Sequence, residues 1–320
     1  MLNKSLTTFN TLFVLIAVSF TACTQQSDSI RKVAEKPLPQ HSFYAEMAQF
    51  KSEGWDTLAQ PQFWHKIMYM SKDSCIINVA ETRQILAKIP LSSWDVKTPS
   101  SKATYKDSLR KEFNLPPTST IFITSGKSDF YQFGSSLENI EKSTLVFESD
   151  SVDPWYAQAI LMIESPGSLK KSNVGAYGPF QLMPAVARQM GLTVSKKIDE
   201  REDLEKSAHG AAKLISTTCI PYAKRMLDTK GITYNERSTW FRLFVLHVYH
   251  AGAGNVSKVL NVINPESGGQ SLITSIWQTS AGAFGNSSQN YSQLALAAQF
   301  ILHQMVETSP NFLKVSSPKG

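Results

Sequence analysis

The segment Trp155–Glu164 constrains the fold more than any other part of this 320-residue chain. It reads WYAQAILMIE, with Asp153-Pro154 before it and Pro166-Gly167 after it. An aspartate N-cap followed by proline predicts the start of a helix, and Pro166-Gly167 predicts its end. The dense apolar face of this helix needs a partner surface, so we expect the helix to lie against a folded core.

Glu164 is the lone carboxylate at the end of this apolar helix. At a helix C-terminus the dipole disfavours an anion, and apolar neighbours remove water from it. Both effects raise the pKa of a carboxyl, which is what a general acid working near neutral pH needs. Glu164 is therefore the candidate acid; a glutamate that points into solvent past the last turn is the alternative interpretation of this feature alone.

The composition is that of a folded chain, with 42% hydrophobic and 18% charged residues. That apolar fraction excludes intrinsic disorder over most of the length. A net charge of +6 fits acidic partners such as anionic membrane surfaces or the carboxylate-bearing polymers of a cell wall. No Lys/Arg-rich run interleaved with aromatic residues is present in the sequence, so nucleic acid is not an expected partner.

The first residues predict export. An apolar run from Leu12 to Phe20 follows Lys4, and it is shorter than the roughly 20 residues that span a bilayer. This pattern is typical of a secretory signal peptide, here over residues 1–22. The end of that segment, Phe20-Thr21-Ala22-Cys23, resembles a bacterial lipobox with Phe20 in place of the usual Leu. The resemblance implies cleavage before Cys23 and lipidation of Cys23; an ordinary signal peptide with a free cysteine is the alternative.

Acyl chains on Cys23 would anchor the chain, because each buried methylene contributes about 0.8 kcal/mol. We therefore expect a protein of the cell envelope, anchored in a membrane that faces the periplasm, with the outer membrane preferred. Residues 23–40 are polar with two prolines and are expected to be a flexible tether. Cys75 and Cys219 then remain, and an oxidising envelope permits a disulfide, although two buried unpaired thiols are the preferred interpretation.

The mature chain divides by pattern into two parts. Phe63–Met70 and Ile77–Ile89 have apolar residues three and four apart and predict helices. A further helix is predicted through Leu109, and Thr120–Thr124 is β-prone. We predict a smaller, mostly helical accessory region over residues 41–150, a catalytic domain over 151–305 and a tail over 306–320.

From Glu164 to Pro184 the chain reads ESPGSLKKSNVGAYGPFQLMP. Gly175 and Gly178 allow a tight turn, and Pro179 can open a new helix that ends at Gly191. This stretch resembles the soluble lytic transglycosylase family, whose fold is related to goose-type lysozyme. The matching positions are Glu164, Ser165, Ser172, Gly175, Ala176, Gly178, Gln181, Leu182, Met183 and Pro184. The departures are a loop one residue shorter than expected, no aromatic after Glu-Ser, and Pro179-Phe180 in place of Leu-Met.

Two more blocks follow in the order of the family. Residues 198–212, IDEREDLEKSAHGAA, are similar to the Asp-x-Arg-x-Asp-Pro-x-x-Ser stretch of the membrane-bound lytic murein transglycosylase D group. Residues 248–256, VYHAGAGNV, resemble the block Ala-Tyr-Asn-Ala-Gly-x-Gly-x-Val, with His250 at the position of the asparagine. Asn290-Tyr291 is a weaker match to the last tyrosine-containing block of the family.

The resemblance implies a mainly α, lysozyme-like domain that acts on peptidoglycan glycan strands without a metal or cofactor. Glu164 would protonate the oxygen between N-acetylmuramic acid and N-acetylglucosamine. Its carboxylate would then take the proton of the muramic acid C6 hydroxyl as that oxygen attacks C1, which gives a 1,6-anhydro product. Ser172 and Tyr249 would orient Glu164, and the implied substrate contacts are Ser165, Tyr177, Phe180, Gln181, His250 and Tyr291. Tyr177 and Phe180 are also plausible core aromatics.

Other functions fit parts of the sequence. A wall-binding lipoprotein that has lost turnover fits the altered loop and His250, and a lysozyme-type hydrolase would need a second carboxylate from elsewhere. His247 and His250 lie three residues apart, a spacing that can hold a metal, but no third ligand is evident in the sequence. Ser168-x-x-Lys171 matches the first element of penicillin-binding enzymes, but no Lys-Thr-Gly follows it, so we attribute it to chance.

Overall fold

The structure is a computed structural model in which residues 49–166 and 172–308 are described. The predicted signal peptide, the lipidation site Cys23 and the tether lie outside the described residues. None of the described helices is long and apolar enough to cross a membrane. The last described helix extends to Thr308, so the predicted tail, which starts at residue 306, begins inside it.

Helices dominate the described residues, which confirms the mainly α fold class. From residue 59 onward they are α1 Ala59–Tyr69, α2 Leu91–Asp95, α3 Pro99–Glu112, α4 Leu137–Ser149, α5 Trp155–Glu164, α6 Pro184–Gln189, α7 Leu204–Leu214, α8 Ile220–Thr229, α9 Thr239–Ala251, α10 Ala253–Ile263, α11 Gln270–Gln278 and α12 Asn286–Thr308. A π-helical turn at Ile215–Cys219 joins α7 to α8, and short 3-10 turns lie at Trp55–Thr57, Phe133–Ser136 and Glu200–Glu202.

An antiparallel sheet of three strands lies in the N-terminal part, in the order β2-β1-β3. The strands are β1 Ser74–Val79, β2 Ile85–Pro90 and β3 Ile121–Ser125. α1, α3 and β3 confirm the predictions made for their segments. The helix predicted over Ile77–Ile89 is wrong, because this segment contains the end of β1, a turn and β2. A short apolar run fits the periodicity of a helix or of a strand. Here β1 pairs with β2 on one edge and with β3 on the other, and this pairing makes the segment part of a sheet.

β1 lies between two apolar cores, since alternate side chains of a strand point to opposite faces. Ile76 packs into the main core, together with apolar residues of α1, α5, α9 and α12. Cys75 and Ile77 pack into a smaller core. Trp94 of α2 and Leu109 of α3 complete that core. Cys75 is therefore a buried free thiol, and so is Cys219 in the π-helical turn, which confirms the preferred interpretation of these cysteines.

α5 lies in the middle of the main core. All of its residues from Trp155 to Ile163 are buried except Gln158. Asp153 accepts a hydrogen bond from the backbone N–H of Trp155 at 3.0 Å and pairs with Arg242 at 2.7 Å. The helix begins at Trp155, one residue later than an Asp153 N-cap with Pro154 at the first helical position predicts, and Pro154 is the N-cap.

The main core extends into the predicted accessory region. Phe63 and Ile67 of α1 belong to the same apolar cluster as α5. The indole Nε1 of Trp64 in α1 donates to Oε1 of Gln293 in α12 at 3.0 Å. The division at residue 150 stays a prediction, but α1 packs on the C-terminal helix rather than on a core of its own.

The helix predicted to open at Pro179 is wrong. Pro179 lies in a turn between Gly178 and Gln181, whose φ angles of 85° and 49° are both left-handed and interrupt a helix. Helix α6 begins instead at Pro184 and ends shortly before Gly191, near the predicted end.

Gly126 tests the junction between α1 and the sheet. A Cβ at this position would lie 2.2 Å from the carbonyl oxygens of Met70 and Ser71. We expect Gly126→Ala to lower the free energy of unfolding by about 1–3 kcal/mol, because the backbone must move apart. Gly134→Ala is the matched control, since a Cβ there meets nothing within 4 Å. Denaturant unfolding of both variants checks this, and equal midpoints would contradict the packing described.

Candidate active site

Glu164 lies at the C-terminal end of α5, where the buried helix reaches the surface. Its side chain is half-buried between the buried residues Ile163 and Ser165. Desolvation raises the pKa of Glu164 to about 7, in the direction that the sequence predicts. A large share of the carboxyl groups is therefore protonated at neutral pH, as general acid catalysis needs.

The loop Gly175–Leu182 is built around Arg201. The buried guanidinium pairs with Asp199 at 2.7 Å and donates to the carbonyls of Gly175 and Leu182 at 2.9 and 2.8 Å. Gly178 lies against the backbone of Arg201, and a Cβ there would come within 1.7 Å of the Arg201 carbonyl oxygen. This close approach explains why the loop needs glycine at position 178.

Two hydroxyl groups connect this loop to the helices beside it. Ser165 Oγ, just after α5, donates to the carbonyl of Pro179 at 3.0 Å. The Tyr249 hydroxyl, from α9, donates to the carbonyl of Phe180 at 2.6 Å. The prediction of a substrate contact for Ser165 is wrong, because this side chain is buried and its hydroxyl fixes the loop.

Three tyrosines surround Glu164. Burial is the larger cause, and the negative charge of Glu164 a further cause, of the raised pKa of Tyr131, Tyr249 and Tyr291. The Tyr291 hydroxyl also acts on the carboxylate as a donor and offsets part of the rise in the Glu164 pKa. Its geometry is looser than that of a standard hydrogen bond. All three phenols are neutral at physiological pH. Among the described residues, the neighbours that these shifts identify around Glu164 are therefore hydroxyl groups rather than charged groups.

His250 and Tyr291 form an aromatic pair beside Glu164. Their rings are stacked, with centroids 4.3 Å apart. His250 is exposed, whereas Tyr291 is buried. The imidazole is therefore open to a ligand, and the phenol beneath it reaches the carboxyl.

Phe180 does not line a groove. Its side chain is 0% exposed and stacks on Phe147 of α4 with centroids 5.6 Å apart. The prediction of a substrate contact for the Phe180 ring is wrong, because the turn at 178–181 directs it into the core. Only its backbone carbonyl contributes to the site, as the acceptor for Tyr249.

The remaining predicted residues of the loop are half-buried. Ser172 Oγ accepts from the backbone N–H of Ala176 at 2.9 Å and closes the first turn of the loop. The Gln181 amide donates to the carbonyl of Gly178 at 3.0 Å, and the Tyr177 hydroxyl donates to Glu202 at 3.1 Å. Their predicted roles toward Glu164 and the substrate stay predictions.

Tyr131 is a site residue that no motif in the sequence indicates. It precedes the 3-10 turn Phe133–Ser136, its ring stacks on Phe133 at 5.4 Å, and only 8% of it is exposed. It lies far from Glu164 in the chain and in a segment without a recognisable pattern. Tertiary packing alone brings it to the carboxyl.

His247, considered with His250 as a metal ligand, is fully buried and engaged within the protein. Its Nε2 pairs with Ser292 Oγ at 2.7 Å, and that oxygen also accepts from Trp277 Nε1 at 2.7 Å. Burial lowers the pKa of His247 to about 3, so the imidazole is neutral. The histidine therefore links α9 to α12.

Residues 147–268 match the family model described as Transglycosylase SLT domain. The match contains Glu164, the Gly175–Leu182 loop and Tyr249, whereas Tyr131 and Tyr291 lie outside it. The match is to the domain as a whole and does not single out the D group suggested by residues 198–212. No curated protein matches the chain significantly. This chain therefore contains a transglycosylase SLT domain, the domain of lytic transglycosylases that act on peptidoglycan.

Proposed function

We propose that this chain is a peptidoglycan lytic transglycosylase that cleaves the β-1,4 bond between N-acetylmuramic acid and N-acetylglucosamine and leaves a 1,6-anhydro-muramic acid end. The observation that carries the proposal is one desolvated carboxyl: Glu164 lies within the SLT domain, and neutral tyrosine hydroxyls lie around it.

In the first step, Glu164 acts as the acid. Its proton passes to the glycosidic oxygen as the bond from that oxygen to C1 of the muramic acid breaks, and the N-acetylglucosamine part leaves with a new hydroxyl. The carboxylate that forms is stabilised by the Tyr291 hydroxyl, whose donation favours the charged form.

In the second step, the same group acts as the base. The C6 hydroxyl oxygen of the muramic acid attacks C1, and its proton passes to Glu164, which returns to the acid form. No water is consumed. Intramolecular attack contributes several kcal/mol through effective concentration when the groups are aligned.

The surroundings of Glu164 favour this path over hydrolysis. Glycoside hydrolysis generally uses two carboxyl groups less than about 10 Å apart. Among the groups of the described residues that shift the Glu164 pKa, none is a carboxylate. Of the nearby acidic run, Asp199 pairs with Arg201, and Glu202 accepts from Tyr177. A lysozyme-type hydrolase and an inactive wall-binding protein are the alternatives that the product test separates.

We propose further that Cys23 anchors the protein in the outer membrane, facing the periplasm. Support comes from the sequence alone: an apolar run that ends at a lipobox-like segment, followed by a polar tether. Radiolabelled palmitate supplied to cells should label the wild-type chain, whereas Cys23→Ser should remain unlabelled. Equal labelling of both chains would contradict the anchor.

Glu164→Gln should abolish release of anhydro-muropeptides from purified peptidoglycan, because an amide cannot donate the proton. We expect a loss of at least about 1000-fold in rate, the scale of a general acid combined with a base. Mass spectrometry of the released fragments is the measurement, since an anhydro end is one water lighter than a hydrolysed end.

Glu205→Gln is the matched control, because Glu205 is an exposed carboxylate on α7. It should retain wild-type release. Reducing-end products that persist in Glu164→Gln would indicate a hydrolase with another carboxylate. Binding without any product from the wild type would indicate a wall-binding protein.

The rate should fall as pH rises through about 7, because only the protonated form of Glu164 can start the reaction and its pKa is raised to about 7. Initial rates measured from about pH 5 to about pH 9 test this expectation. A rate that already falls near pH 4, the ordinary range of a glutamate, would show that the carboxyl is solvated.

A further inference from the structure

Arg83 is a buried cation that the proposed reaction does not use. It lies in the turn between β1 and β2 and is 4% exposed. Its guanidinium lies over three aromatic rings. The distance from Cζ to the ring centroid is 5.4 Å for Phe63 and for Trp64 in α1, and 5.7 Å for Phe122 in β3. Burial lowers its pKa to about 10, so it remains charged at neutral pH.

The polar contacts of Arg83 point to one helix. Its Nη2 donates to Oδ1 of Asn290 and, at 3.3 Å, to Oδ1 of Asn286, both in the first turns of α12. Asn290 Nδ2 in turn donates to Asn286 Oδ1 at 3.2 Å. Taking a charge out of water is costly, and a buried charged group is weak evidence for a stabilising role. Stability alone is therefore a poor explanation for this arginine.

The turn of α12 that Arg83 contacts is the one that holds Tyr291. Trp64 donates to Gln293 on the same side. Ser292 bonds to His247 and Trp277 on the side of α9 and α11. The neighbours of Tyr291 in the sequence are therefore fixed from two directions. The Tyr291 hydroxyl itself lies toward the Glu164 carboxyl, in a geometry looser than that of a standard hydrogen bond.

We propose that Arg83 is a positioning residue for the reaction: by holding Asn286 and Asn290 it fixes the first turns of α12 and keeps the Tyr291 hydroxyl beside the Glu164 carboxyl. This inference rests on the proposed function. It gives residues of the predicted accessory region a role in the active site, although they lie before the SLT match.

The test compares Arg83→Met with Arg110→Met in the full chain purified in detergent. Arg110 is a half-buried arginine of α3 that donates to Ser119 and pairs with Asp107, so it serves as the matched control. The readouts are kcat, KM, the alkaline limb of the pH–rate profile, and hydrogen exchange of the peptide over residues 286–293.

Arg83→Met should lower kcat about 10- to 100-fold with little change in KM, the scale expected for misplacement of a group by about 1 Å. Loss of the donor to the carboxylate raises the pKa of Glu164, so the alkaline limb should move to higher pH, and exchange over 286–293 should increase. Tyr291→Phe should move the limb in the same direction. Arg110→Met should leave the limb and this exchange unchanged.

Asn290→Ala removes the same contact from the other side. It should shift the limb in the same direction, and the double variant should shift it no further than Arg83→Met alone, because that variant has already lost the contact with Asn290. Arg83→Lys keeps the charge and the ring contacts, so it should fold and show a smaller shift. This variant keeps the test decisive if Arg83→Met does not fold.

A reduced rate with an unmoved alkaline limb and unchanged exchange over 286–293 would overturn the positioning role. If the wild-type chain releases no anhydro product, the proposed function fails by itself. Hydrogen exchange tests the structural part of the proposal separately, since it needs no substrate. Unchanged exchange over 286–293 in Arg83→Met would show that Arg83 does not hold the turn of α12 that contains Tyr291. Increased exchange would support that role.

Discussion

Partial removal of water from the carboxyl at the end of α5 governs both the packing around this helix and the chemistry of the site. The helix is apolar around nearly its whole circumference, so it must be surrounded, and Glu164 is its last residue. A lysine or arginine beside this carboxyl would hold it ionised and useless as an acid. Neutral phenol hydroxyls do not hold the carboxyl in its ionised form in this way. They leave the acid form populated near neutral pH and still donate to the carboxylate once its proton has left.

Charged and hydroxyl groups fix the backbone around this carboxyl by hydrogen bonds to its carbonyl oxygens. Arg201 holds the Gly175–Leu182 loop through carbonyl oxygens, and Ser165 and Tyr249 connect that loop to α5 and α9. Helix α12 supplies Tyr291 and is held by α1, by Arg83 of the β1–β2 turn and by α9. The SLT domain thus contains the acid, whereas part of its surroundings comes from segments before and after the matched residues.

Much of this could be predicted from local sequence. The Asp-Pro start, the apolar run and the terminal glutamate predict α5 and its raised pKa because all of these signals lie within a dozen residues. The inward ring of Phe180 could not be predicted, since it depends on a left-handed Gln181 in the turn. The β1–β2 hairpin, Tyr131 and Arg83 depend on pairing or packing between distant segments, and apolar spacing alone does not report such contacts.

Direct titration of the Glu164 carboxyl is the closest test of its desolvation. Carbon-13 NMR of the chain labelled at glutamate Cδ follows each carboxyl with pH, and the resonance missing from Glu164→Gln is that of Glu164. We expect a midpoint at about 7 for this resonance, above the range of an ordinary glutamate. A midpoint near about 4 would show a solvated carboxyl and would contradict the desolvated acid on which the mechanism rests.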